Sequence, residues 1–294
     1  ARDFFGIKPM HYAMVDGSFV YASEIKSILE YPKYKKKFNH KALDNYLSFQ
    51  YVVPPETFFE GIYCLLPGHY LWYKDGKVTT TRYFEATFKP DESLTLDKAV
   101  DEIEAVFEDS VNAHKISDVE VGCFLSSGVD SRYVSTYFAD QKTFTVGFDF
   151  GDHYNEISWA KRLSEKIGVD HHTKLIGSDE FWGAVPKVQY QMDQPLADPS
   201  CIALYFVSKL ASKYVKVVLS GEGADELFGG YTVYNEPHVF KLYQKIFNQK
   251  ARTALANKAR KMPHIKGRGF ILRGERVTEE KFIGNAFLFD DKEK

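Results

Sequence analysis

Two stretches place small hydroxyl residues, glycine and carboxylates directly after apolar runs. "FLSSGVDSR" (124–132) carries Ser126, Ser127, Gly128, Asp130 and Ser131, and "LSGEGADELFGGY" (219–231) carries Ser220, Gly221, Glu222, Asp225 and Glu226. A strand that ends in a short Gly/Ser loop and turns into a helix aims several backbone N–H groups at one point, which makes an anion site. Gly128 would permit a positive φ and close approach, and Ser126, Ser127 and Ser131 add hydroxyl donors. A carboxylate at Asp130 belongs beside phosphate only if a cation lies between them, and Mg²⁺ is the natural bridge. The competing reading is a plain helix-capping turn, with Asp130 or Ser131 as the cap. The three acids of the second loop could likewise serve only a helix dipole. Two loops of like design at the carboxyl ends of one parallel sheet would, however, face each other across a crevice. Asp130 and Asp225 could then share a metal while Glu222 stays available for proton chemistry. The one Gly-Lys pair, Gly76-Lys77, has Leu71 where a Walker-type loop needs its first glycine, so that nucleotide site is excluded.

Such loops need a scaffold, and the chain supplies two kinds of pattern. "HYAMVDGSFVYAS" (11–23) and "GHYLWYKDGKVTTTRYF" (68–84) each set Asp-Gly between β-prone runs, a strong hairpin signal. Helical segments "EIKSILEY" and "HKALDNYLSF" lie between them. "EATFKPDESLT" (85–95) is polar and contains proline, and a domain boundary is expected there, dividing 1–92 from 93–294. Beyond it helices and strands alternate. Leu96, Val100, Ile103, Val106, Phe107 and Val111 recur at helical spacing behind Thr95 as N-cap. The strands "VEVGCFLS", "KTFTVGF", "HHTKLI" and "VKVVLS" are each followed by a helix, the one after the serine loop starting near Ser131. That alternation predicts an α/β fold with a parallel sheet covered by helices.

The composition excludes several classes. With 294 residues, 44% hydrophobic and 27% charged, the chain is globular in character and long enough for one large domain or two. A net charge of −2 argues against a surface built mainly for nucleic acid. Lys245–Arg276 is basic with Glu275 its only acid, but interleaved apolar residues read as a solvated helical surface. Cys64, Cys123 and Cys201 form no CxxC, so neither a disulfide framework nor a zinc site is legible, and a reducing cytoplasm is the expected location. No apolar run reaches membrane-spanning length and "ARDFFGIKPM" does not read as a signal peptide. His171-His172 on one strand would point to opposite faces, which favours a structural role over a metal pair. Asp193 and Asp198 are expected to orient cations or backbone.

The motifs resemble those of the glutamine-hydrolysing asparagine synthetases, class B amidotransferases with a PP-loop ATP pyrophosphatase domain. That family's S-G-G-x-D-S stands here as "SSGVDS", with Ser127 in place of the first glycine, and its "SGEG(S/A)DE" stands intact at 220–226. "TVGF" (145–148), "NEISWA…HH" (155–172) and "MDQPLADPS" (192–200) resemble its nucleotide-side and substrate-side segments. "ARDFFGIKPMHY" and "ASEIKSIL" resemble the back half of its N-terminal-nucleophile (Ntn) glutaminase domain. The resemblance covers essentially the whole chain. It implies part of an αββα Ntn domain over 1–92, then a doubly wound parallel-sheet domain of the adenine nucleotide α-hydrolase type over 93–294. It implies ATP and Mg²⁺ as cofactors and aspartate with ammonia or glutamine as substrates, with no nucleic-acid or membrane partner and a homodimer left open. Leu125, Val146, Ser220 and Gly221 would contact the adenosine side and Ser126, Gly128 and Ser131 the pyrophosphate, with Ser127 also cofactor-binding; Asp130 and Asp225 would hold the metal, and Glu222 would be catalytic. The family's nucleophilic cysteine would lie upstream of "ARDFFGIKP" and its catalytic lysine downstream of "FIGNAFLFDDKEK", so a chain cut at both ends and unable to hydrolyse glutamine is expected. Cys64 is internal and cannot use its own α-amine as base. A β-lactam-synthetase-like ligase and a nucleotide-binding fragment without turnover are the alternatives, and the intact Glu222 favours asparagine synthesis.

Overall fold

The computed structural model describes residues 1–138, 141–149, 151, 155–277 and 289. Both Asp-Gly hairpins form. β1 (His11–Val15) and β2 (Ser18–Ala22) pair antiparallel around Asp16 and Gly17, whose φ values of 48° and 76° are those of a tight primed turn. α1 (Ile25–Leu29) and α2 (His40–Phe49) follow, and β3 (Ile62–Cys64) joins β1 to complete a sheet ordered β2-β1-β3. Its apolar face, Ala13, Val15 and Ile62, closes on Ile25 and Ile28 of α1. β4 (His69–Lys74) and β5 (Lys77–Arg82) make the second hairpin, turning at Asp75 and Gly76. The polar stretch after it contains no helix or strand until α3 (Leu96–His114), where Thr95 accepts a capping bond from Lys98 N.

The expected parallel sheet follows. β6 (Val121–Phe124) leads through the serine loop into α4 (Val129–Ser135), β7 (Lys142–Phe148) into α5 (Ile157–Ile167), and β8 (Asp170–Ile176) into α6 (Ser178–Gln191). α7 (Ser200–Ala211) then feeds β9 (Val217–Leu219). All neighbouring strands are parallel, in the order β8-β7-β6-β9. Phe144 and Val146 of β7 face α7, among Val207, Leu210 and Ala211. On β7's other side chain set, Gly147 lies against Ile157 of α5. Val111 and Phe107 of α3 close over Val121 and Cys123 of β6, with Val134 and Phe138 from α4 and just beyond. The rest of the expected α3 stripe differs: Leu96, Val100 and Val106 are exposed. Ile103 is exposed as well, and only Phe107 and Val111 of this stripe pack on β6; at ~1.5 Å per residue the helix is about twice as long as that strand. α4 starts at Val129, two residues earlier than expected, because Gly128 in an extended conformation serves as N-cap.

The segment after α6 ties the two sheet systems together. Asp193, at φ 64°, accepts from the backbone N of Ile25 at 2.6 Å and of Lys26 at 3.3 Å, and its carboxylate lies 2.6 Å from the Lys26 ammonium. Phe58 N donates to Gln194 Oε1 and Ala197 N to Gln50 O. Asp198 accepts from Ser200 N at the start of α7. Both acids therefore orient backbone or a cation, as the sequence suggested. Asp193→Ala strands a largely buried ammonium and two N–H groups, so a loss of about 1–3 kcal/mol in urea unfolding is expected. A change under ~0.5 kcal/mol, the range of an ordinary surface substitution, would remove the tether from the account.

The described residues fall into two compact units, one comprising Ala1–Gly221 and the other within Glu222–Phe287. The second holds α8 (Ala224–Phe228), a 3-10 turn at Thr232–Asn235, α9 (Glu236–Ile246), α10 (Gln249–Arg260) and α11 (Arg268–Arg273). Phe240 of α9 packs on Phe270 of α11 with ring centroids 4.8 Å apart. Several basic residues of this region brace it from within: Arg260 pairs with Glu275, Arg273 with Glu236, and Arg268 Nε donates to Ala259 O. Arg252 is buried, so the basic run is less solvated than its composition implies. Among the described residues no helix is long and apolar enough to cross a membrane.

Candidate active site

The strand order fixes where a ligand-binding crest can lie. From β6 the chain moves outward to β7 and β8, then returns to the other side of β6 as β9. Side-by-side strands whose connections leave in opposite directions open a crevice at their carboxyl ends. The loops that end β6 and β9 are the two that the sequence singled out. They touch: a Cβ placed on Gly221 would lie 2.7 Å from Asp130 Cβ and 2.9 Å from both Asp130 C and Ser131 N. No side chain fits there, so the glycine is a requirement of loop-to-loop contact.

The first loop is braced by its own hydroxyls. Ser126 N donates to Ser131 Oγ at 3.0 Å, the two hydroxyls lie 2.7 Å apart, and Gly128 N donates to Ser126 Oγ at 3.1 Å. Ser127 behaves differently. Its Oγ donates to Glu156 Oε1 at 2.8 Å and its N–H to Glu156 Oε2 at 3.3 Å. A carboxylate of the same chain thus occupies both of these donors. Two details correct the sequence reading. Gly128 has φ −66°, so it does not use the positive φ expected of it, and neither Asp130 nor Ser131 caps α4. α4 is also only seven residues long, so any anion held here would depend on the loop's own N–H and O–H groups more than on a helix dipole.

The structure places the other expected residues as follows. Leu125 is 2% exposed; its N–H donates to Phe144 O and its carbonyl accepts from Thr145 Oγ1. Val146 is a partly buried core residue against α7. Leu125, held by its two bonds, therefore fixes the loop's starting point from inside the sheet. Asp130 lies in the first turn of α4 beside Gly221. Ser220 and Gly221 follow β9, and Glu222 and Asp225 belong to the second unit. There Asp225 and Glu226 open α8, and Tyr231 Oη donates to Glu226 Oε1 at 3.1 Å. Burial, with the charges of Glu226, Asp225 and Glu222 behind it, pushes the Tyr231 phenol up to about 12. Among the described residues no group of three or more His, Cys, Asp or Glu is arranged to hold a metal.

The remaining candidates are structural. His171 Nδ1 lies 2.9 Å from Thr143 Oγ1, whereas His172 stacks on Tyr214 at 4.0 Å, so the pair does diverge across β8. Burial lowers the His171 pKa and favours its neutral form. Burial raises the Cys123 thiol to about 12 and also raises Cys64 and Cys201, which keeps all three protonated. Sequence reasoning missed Glu156. An acid directly before a helix reads as a dipole partner, and only the fold shows it turned toward Ser127.

Fold and loops together define an α/β protein with a parallel sheet in which Gly221, after β9, lies against the serine loop after β6, where the strand order reverses. Residues 102–281 match the asparagine synthase family and residues 1–84 the glutamine amidotransferase domain. The chain belongs to the asparagine synthase family. It is 39% identical over its whole length to asparagine synthetase [glutamine-hydrolyzing] 1 of Bacillus subtilis, covering 47% of that protein. A putative asparagine synthetase [glutamine-hydrolyzing] of Mycobacterium tuberculosis is 38% identical over 98% of this chain and 46% of its own. One from Methanocaldococcus jannaschii is 31% identical over 80% of this chain and 47% of its own. The chain thus spans about half the length of these curated relatives.

Proposed function

We propose that this chain carries the amide-forming machinery of a glutamine-hydrolysing asparagine synthetase, an ATP-dependent ligase that converts aspartate to asparagine. Residues 1–92 form the C-terminal part of an Ntn glutamine amidotransferase domain. Residues 93–294 belong to a doubly wound PP-loop ATP pyrophosphatase domain. The observation that carries this reading is the convergence of two anion-type loops at Gly221, on the crest where strand order reverses. The family membership and the relatives' names support it.

In this scheme Ser126, Ser127, Gly128 and Ser131 hold the pyrophosphate of ATP, and Ser220 and Gly221 lie along its nucleoside side. The aspartate β-carboxylate attacks the α-phosphorus and pyrophosphate leaves, giving β-aspartyl-AMP. Ammonia, supplied as such or from glutamine, then attacks the acyl carbon, AMP leaves with one former carboxylate oxygen, and Glu222 takes the surplus proton. Mg²⁺, when bound, neutralises phosphate charge. On the strength of the motif pattern alone, Asp130 and Asp225 would be its protein ligands, with phosphate oxygens and water supplying the remaining donors.

Asp130→Asn and Asp225→Asn are each expected to weaken MgATP binding in isothermal titration while unfolding stability holds or rises slightly, since each removes one charge from an anionic site. Unchanged affinity in both leaves these residues only the role of acids in the first turns of α4 and α8. The proposed function itself is tested by pyrophosphate release from MgATP with ammonia supplied. Release that depends on aspartate is expected; ADP formation, or release indifferent to aspartate, contradicts it.

A further inference from the structure

Glu156 has no job in its own helix. The first turn of α5 is served by Asn155, whose Oδ1 accepts from Ile157 N at 3.1 Å, and Glu156 makes no capping bond there. Its carboxylate instead reaches across to the serine loop, one oxygen on Ser127 Oγ and the other on Ser127 N. The reach depends on Gly147. A Cβ at that position would lie 2.6 Å from Asn155 Oδ1 and 3.0 Å from the Ile157 side chain, so only glycine lets the start of α5 settle this close to β7. Ser126 N and Gly128 N bond to hydroxyls within the loop, whereas Ser127 gives both its N–H and its O–H to an acceptor from outside it.

We propose that Glu156 sets the affinity of the pyrophosphate subsite by acting as its internal anion. It occupies the Ser127 donors until a polyphosphate displaces it, and thereby makes the loop select for ligands rich enough in negative charge to compete. This rests on the proposed function, because that reading is what makes the loop a pyrophosphate site. Two anions cannot share one N–H/O–H pair without repulsion, so a phosphate oxygen arriving at Ser127 must turn the Glu156 carboxylate toward solvent. A ligand lacking phosphate makes no such demand. The effect is therefore confined to ligands carrying the pyrophosphate group, which separates it from any general support that Glu156 lends the fold.

The test is titration of the chain with MgATP, with inorganic pyrophosphate and with adenosine. Glu156→Ala is expected to bind MgATP and pyrophosphate about fivefold to tenfold more tightly, the scale of one competing hydrogen bond, with adenosine affinity unchanged. Glu156→Gln, neutral and of the same size, is expected to lie between it and the unsubstituted chain, and it guards against a packing defect in the alanine variant. Weaker MgATP binding in both variants would make Glu156 a support or ligand of the nucleotide and overturn the proposal. Equal changes for adenosine and pyrophosphate would overturn it too, by showing that Glu156 acts through the fold. If the unsubstituted chain binds neither MgATP nor pyrophosphate, the underlying function fails and the proposal falls with it. If it binds both and the variants match it, the proposal alone fails.

Discussion

In the full-length protein, Glu222→Gln is expected to leave aspartate-dependent pyrophosphate release intact and to lower asparagine formation by about 10²–10⁴-fold, the usual contribution of a general base. The asymmetry follows from proton bookkeeping in the two half-reactions. Aspartate's β-carboxylate is already ionised near neutral pH, so its attack on the α-phosphorus needs no base. Ammonia is mostly ammonium there, and its attack leaves a surplus proton on nitrogen, so the second step needs one. Glu222 follows directly on Ser220-Gly221, the pair assigned to the nucleotide, and glutamine keeps its size and hydrogen bonding while losing basicity. The competing role is electrostatic support for α8, which begins two residues later and has only five residues. A charge at a helix start contributes about 0.3–1 kcal/mol, so that role predicts a small stability loss with both chemical steps intact. Pyrophosphate and asparagine measured in one reaction separate the two. A parallel fall would assign Glu222 to binding or adenylation.

Gly221→Val should be nearly as damaging, for a steric reason. The new Cβ meets the backbone carbonyl carbon of Asp130 and the amide of Ser131, which cannot rotate away as a side-chain tip could. Forcing atoms into such a contact typically costs about 1–3 kcal/mol, and the displacement falls on the residues assigned to Mg²⁺ and pyrophosphate. A loss in MgATP affinity of about tenfold to hundredfold is expected, at about 1.4 kcal/mol per factor of ten. Gly183→Ala is the matched control. It lies inside α6 with no atom within 4 Å of a new Cβ, so it should raise stability by up to ~1 kcal/mol without touching binding. Equal affinity in Gly221→Val and the unsubstituted chain would mean that the two loops need not touch for the nucleotide to bind.

What was legible in the sequence was whatever local chemistry alone decides. Asp-Gly between β-prone runs specified both hairpins, and apolar strands running into Ser/Gly loops specified the parallel sheet and its crest. Asp193 and Asp198 were read correctly as orienters of cation or backbone, because acids are poor partners for an acidic substrate. The misjudged features are those set by partners distant in sequence. Helical periodicity marks an apolar face on α3 but carries no information on how long a strand lies beneath it, so Leu96 and Val100 were expected inside and are exposed. Glycine was expected to matter at position 128; the tight approach is at Gly221, where a loop about 90 residues later in the chain arrives against Asp130. Glu156 meets Ser127 from 29 residues away, and only the pairing of β6 with β7 brings them together.

The most direct test of the central claim follows an oxygen atom. Aspartate labelled with ¹⁸O in its β-carboxylate is supplied with MgATP and ammonia, and the AMP produced is weighed by mass spectrometry. If the carboxylate attacks the α-phosphorus and AMP is later displaced by ammonia, each AMP formed carries one labelled oxygen and appears in step with asparagine. AMP without label, or ADP and phosphate in its place, would contradict the adenylation chemistry assigned to these two loops.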